Sequence, residues 1–169
     1  MDAATLRPGR VRSAESERQW SWLVVGAIAL MLTYFAITNH VDLAPWNNLE
    51  AAGPQLASTL SGVIPFSIIA LGFALRIPLL MLVGTVYSYV WLLLQIRQWW
   101  IPYLFGSTPL HRAFDWYTAH GYDQTVRFLP VIEGRPVPDA QHVVLELLSL
   151  LVVIVTTVAY VRLRRERYS

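Results

Sequence analysis

Four long uncharged stretches, separated by segments that carry arginine or turn-forming residues, decide what this chain can fold into. They are Trp20–Asn39, Ala51–Leu75, Ile77–Ile96 and Val143–Val161, the last interrupted only by Glu146. An α-helix rises about 1.5 Å per residue, so roughly 20 residues cross a hydrocarbon core about 30 Å thick. Each stretch reaches that length. The pattern predicts an all-α integral membrane protein with four transmembrane helices, a four-helix bundle, at 20–39, 56–75, 79–97 and 140–161. Tails at 1–19 and 162–169, loops at 40–55 and 98–139, and a tight turn at 76–78 complete the single membrane domain.

Composition agrees. The hydrophobic fraction is 55% and the charged fraction 14%, well under the roughly one quarter usual in soluble domains. A pI near 9.2 would suit nucleic acid, but the basic residues flank apolar runs, where membrane topology accounts for them. All thirteen are arginine. With abundant Ala, Leu and Val, that bias points to a bacterial chain and to the cytoplasmic (inner) membrane. The absence of cysteine excludes disulfides and thiolate-bound metal. The basic front of the first run resembles a signal peptide, but its apolar stretch exceeds the usual 7–15 residues and no small-residue cleavage site follows. It reads as the first span, anchored by Trp20 and Trp22.

Arginine placement sets the direction of threading. Four arginines precede the first span, Arg76 lies between the second and third, and four follow the last. The first loop holds none and the second holds Arg97, Arg112, Arg127 and Arg135. Nine against four favours both termini in the cytoplasm.

The second loop is too interrupted for a fifth span, since its longest uncharged stretch, Gln98–Leu110, contains Pro102 and Pro109. Trp99, Trp100 and Tyr103 read as interfacial anchors that carry the third span into the headgroup layer. Thr108–Pro109 is a cap and first-turn pair and Gly121 a C-terminal stop. Between them Leu110, Phe114 and Tyr117 form an apolar face, predicting an ordered loop with a short amphipathic interfacial helix at about 109–120. Glu133-Gly134 is expected to turn a short extended pair, and Asp139 to cap the fourth span. Pro65 is expected to kink the second span, and Ser58 with Gly62 to let a neighbouring helix approach.

Chemistry-bearing side chains gather in the second loop. His111, Asp115, His120, Asp139, His142 and Glu146 are the ligand set for a metal such as zinc or iron and equally the set for proton transfer. Helical spacing places His111 and Asp115 on one face and His120 about 180° away. His142 and Glu146 share a face at the start of the fourth span, with Asp139 three residues before. A carboxylate inside a span needs a partner or a proton, and marks a functional site by default. His142 and Glu146 are therefore the catalytic candidates, expected to touch each other; all six residues are weak metal candidates. Each has a plainer role too: Asp139 as helix cap, His111 and Asp115 as a solvated face, Arg112, Arg127 and Arg135 as partners of lipid phosphate or nearby acids.

Nucleotide-binding loops, zinc-protease motifs and nucleophile elbows are missing from the sequence, so no nucleotide cofactor is expected. Mid-span histidines that would hold haem are missing as well. The expected function is contact: an accessory, assembly or scaffold subunit of a membrane complex, whose partners are the bilayer and other membrane proteins, not nucleic acid. The alternative is a membrane enzyme or ligand- or metal-binding protein with an outward-facing His/Asp/Glu site.

The topology is directly testable, because a cysteine-free chain makes single-cysteine labelling clean. An impermeant maleimide should reach cysteines at positions 48 and 121 in intact cells, and those at 76 and 169 only after permeabilisation. Protection of position 121 in intact cells would invert the orientation.

Overall fold

The computed structural model describes residues 8–106 and 114–168, with side chains for Glu15, for 18–106 and for 114–165. The elements in order are α1 (Pro8–His40), α2 (Leu49–Ala52), α3 (Leu56–Ala74), α4 (Pro78–Phe105), α5 (Phe114–Ala119), a 3-10 turn (Tyr122–Gln124) and α6 (Ala140–Tyr168). No strand occurs among the described residues. Four helical segments are long and apolar enough to cross a membrane: Arg18–His40, Leu56–Ala74, Pro78–Phe105 and Ala140–Arg165.

These four pack as a ring in which α1 and α4 each touch α3 and α6. The chain therefore runs up, down, up and down. Both loops lie together at one end, here the loop end, and Arg76 lies at the other with the termini. The core takes one stripe from each helix: Val24, Ile28, Met31 and Phe35 from α1, Phe66, Ile69 and Phe73 from α3, Met81 from α4, and Leu145, Val152, Ala159 and Leu163 from α6. The α1 set recurs every three or four residues, as a single buried helix face must. Phe35, Phe66, Tyr87 and Trp91 knit the centre by edge-on ring contacts at 5.4 to 6.0 Å, with Tyr87 and Trp91 stacked. Leu30, Ile64, Leu71, Leu79, Leu93 and Leu147 point outward. An apolar exterior on that scale suits hydrocarbon surroundings.

Close approach between helices rests on missing side chains. A Cβ at Gly84 would lie 2.6 Å from the Ile69 Cγ2, and one at Gly62 would lie 2.8 Å from Phe35. Gly62 thus fulfils the expected small-residue contact, while Ser58 is exposed and faces the loop end. The turn joining α3 to α4 is a Schellman motif: the Ile77 N–H donates to the Gly72 carbonyl (2.9 Å) and the Arg76 N–H to that of Phe73 (3.2 Å). Arg76 occupies its left-handed position with φ of 54°.

Two expectations need correction. The helix of the third span does not end at residue 97; α4 continues through Pro102 to Phe105. Pro102 lies in the last turn, where its missing N–H forfeits only the bond to the Gln98 carbonyl. Trp99 and Tyr103 are buried, so inward packing holds the turn together. Arg135 closes it, donating to the carbonyls of Tyr103 (3.2 Å) and Leu104 (2.7 Å), where a cation suits the helix C-terminus. Second, Glu133 and Gly134 form a turn closed by Arg135 N–H to Ile132 carbonyl (3.1 Å), but no extended pair flanks it. The Thr108–Pro109 cap and Leu110 lie outside the described residues. Phe114 and Tyr117 do stack within α5, and Gly121, at φ of 69°, takes the left-handed conformation of a stop just beyond it.

Gly84→Val should lower stability by roughly 1–3 kcal/mol through overpacking against Ile69. Gly26→Ala, where nothing lies within 4 Å, should stabilise α1 by up to about 1 kcal/mol. Denaturant unfolding in mild detergent reads both, and equal effects would refute the packing argument.

Candidate functional site

The loop end is where four helix termini meet, and each brings a carboxamide: Asn39 at the end of α1, Gln55 just before α3, Gln98 in the last turns of α4 and Gln141 at the start of α6. They line one cavity of about 450 Å³. Its remaining wall includes Asn47 and Asn48 from the first loop, His120, His142 and the rings of Trp99, Trp116 and Tyr122. A larger depression of about 740 Å³ lies against Glu15, Arg18, Gln19, Trp22 and Leu23. All five belong to α1, so it is an open flank and not an enclosed site.

Asp139 organises the cavity wall. It is fully buried as the N-cap of α6, and its Oδ1 accepts the His142 backbone N–H (2.8 Å). The same oxygen lies 2.7 Å from Nδ1 of His142, while Oδ2 accepts the Thr125 hydroxyl (3.2 Å). A carboxylate only accepts, so Nδ1 carries the hydrogen and Nε2 is the free ring nitrogen. The imidazole is held against Trp99, with ring centroids 4.0 Å apart, and meets Tyr122 edge-on at 5.5 Å.

No hydrogen bond joins His142 to Glu146, although the two interact through space. The imidazole belongs to Asp139, and Glu146 turns across the interface to accept the Trp100 indole N–H from α4. The cap position brings Asp139 alongside the ring, and its two further donors fix it there. Glu146 Oε1 is buried with no hydrogen-bond partner among the described residues. Trp100, read as a surface anchor, is thus an interhelical donor.

The other candidates scatter. His120 lines the cavity, with Nδ1 2.8 Å from the Trp116 carbonyl and its ring 4.1 Å from that indole. Asp115 is exposed on α5, and His111 lies outside the described residues. Among the described residues no three His, Asp or Glu side chains are grouped to hold a metal ion. Beside the cavity, Tyr117 is buried and donates to the Tyr122 carbonyl (3.1 Å); burial pushes its phenol above the ordinary value.

Several amides are structural. Asn47 donates to the carbonyls of Thr38 and Val41 and accepts the Leu43 N–H, which pins the first loop. Asn48 caps α2 through the Ala51 N–H and donates to Gln124, joining the two loops. These amides carry no charge and belong to no motif, so nothing but their position marks them in the sequence. The available signal was a carboxamide at the loop end of every span. The chain matches no family model, no curated protein and no solved structure.

Asp139→Ala removes a cap worth about 0.5–2 kcal/mol and leaves the Thr125 hydroxyl only the Tyr122 carbonyl (2.8 Å) as acceptor. Asp139→Asn keeps a capping oxygen, so thermal unfolding should place it between wild type and alanine. Nitrogen-15 NMR of His142 should report Nδ1–H with a bare Nε2 in the neutral ring. The opposite tautomer would sever the Asp139–His142 bond from the account.

Proposed function

We propose that this chain is an integral protein of the bacterial cytoplasmic membrane, with cytoplasmic termini, that binds a small polar ligand in its outward-facing mouth. The observation that carries this reading is the cavity where the four carboxamide-bearing helix ends converge. Its volume of about 450 Å³ falls within the roughly 300–1,000 Å³ typical of small-ligand sites. Polar side chains at the end of an otherwise apolar bundle need partners, and water or a ligand provides them. The arginine tally supports the orientation, and the apolar exterior supports insertion.

Chemistry beyond binding would centre on His142, whose oriented ring on a buried carboxylate is suited to proton transfer. Glu146, committed to Trp100, serves as an interhelical staple.

A second reading has its own observation. Phe105, Phe128 and Val131 are 74%, 59% and 65% exposed at the loop end. That apolar rim supports an accessory subunit acting by contact with other membrane proteins.

Native mass spectrometry from lipid nanodiscs separates the two. The protein should carry a small-molecule adduct that a folded Gln98→Leu/Gln141→Leu variant lacks. No adduct, together with a stoichiometric membrane-protein partner that Phe128→Ser releases, would replace ligand binding with the contact reading.

A further inference from the structure

Hydrogen-bonding capacity left over in the cavity defines what can enter it. Asn39 Nδ2 donates to the Thr59 hydroxyl (3.0 Å), leaving its Oδ1 unused. Gln55 Nε2 gives its hydrogens to the carbonyls of Ala52 (3.0 Å) and Gly53 (3.2 Å), leaving Oε1. The Trp116 carbonyl fixes the hydrogen of His120 on Nδ1, as Asp139 does for His142, so each neutral ring keeps a bare Nε2. The side-chain amides of Gln98 and Gln141 make no hydrogen bond to any described residue. The cavity thus holds four spare acceptors and two complete amides, each able both to donate and to accept.

Among the described residues, this wall carries no Asp, Glu or Arg. An anion would face acceptor atoms with no cation to balance it. An organic cation would find no carboxylate among these lining residues, and Asp139, which holds the His142 ring, is fully buried and already engaged by three donors. Desolvating either charge without a partner is costly. Hydroxyl groups match instead, because each donates to an acceptor such as His142 Nε2 and accepts from an amide N–H. Trp99, Trp116 and Tyr122 add the apolar surface that the C–H face of a saturated ring needs.

Building on the ligand-binding reading above, we infer that the cavity binds an uncharged polyhydroxylated ring, a sugar or cyclitol. Gln98, Gln141 and His142 are its principal hydrogen-bond partners. The same chemistry arrives either as a free molecule or as the headgroup of a neutral glycolipid, since the cavity opens at the end of the membrane-crossing helices.

The test uses the full chain in nanodiscs, free of sugar-based detergent. Tryptophan fluorescence is titrated with glucose, maltose and myo-inositol, with glucose 6-phosphate and choline as charged counterparts. At least one neutral probe should bind saturably, and Gln98→Leu, Gln141→Leu and His142→Phe should each weaken it about ten-fold, the loss of one hydrogen bond. Neither charged probe should compete. A parallel arm dopes the nanodiscs with a glucosyl diacylglycerol: a fluorescence change there that free sugars do not produce assigns the ligand to the lipid headgroup. Tighter binding of a charged probe, or no binding of any neutral probe or glycolipid, overturns the inference. In those cases a small-molecule adduct seen by native mass spectrometry leaves ligand binding standing, and its absence removes both.

Discussion

The loop end of this protein hangs on one buried carboxylate. Asp139 sits where α6 begins, and three donors converge on its two oxygens: the helix's own backbone, the His142 ring and the Thr125 hydroxyl. The next residue continues the arrangement, since the Ala140 N–H donates to the Val126 carbonyl while the Val126 N–H donates to that of Pro45. The second loop is thereby tied to the first and to the start of a helix in one chain of bonds. Without this side chain the His142 ring and the first turn of α6 would both lose the acceptor that holds them.

Below that layer, side-chain hydrogen bonds mark the seam between α4 and α6. Trp100 reaches Glu146, Gln95 donates to Ser149 (2.8 Å), and Thr157 donates to Tyr89 (3.1 Å). In the proposed bilayer setting, hydrocarbon offers helices no hydrophobic reason to associate, so such bonds and close packing specify the pairing. Individual bonds of this kind average only about 0.6 kcal/mol, so their spacing along the seam matters for register more than any one matters for stability. The neighbouring α3–α4 contact uses the opposite device, with glycine in place of donors.

Much of the frame was legible in the sequence because the length of the apolar runs and the cap residues act locally. Asp139 as cap, Gly121 as stop and Gly62 as contact point follow from such rules. The site was less legible. Helical spacing puts His142 and Glu146 on one face, but it is silent about α4, which supplies Trp100 as the hydrogen-bond donor to Glu146. Nor could it show that Asp139, while capping, also grips a ring three residues on. Composition alone does not show that the aromatic stretch after residue 97 continues α4, which packing of Trp99 and Tyr103 into the fold accomplishes. Convergence of Asn39, Gln55, Gln98 and Gln141 depends on the up-and-down path of four helices, a property of the assembled fold.

Arg76 gives the α3–α4 connection a significance beyond packing. A side chain in the left-handed region costs about 1–2 kcal/mol, and glycine is the usual occupant of that place in the motif. An arginine there keeps the hairpin tip charged. With only Leu75, Arg76 and Ile77 between the helices, neither can cross a bilayer while the other waits in water. On the proposed orientation, α3 and α4 enter the membrane together as one hairpin, and the charged tip holds the bend on the side from which they came.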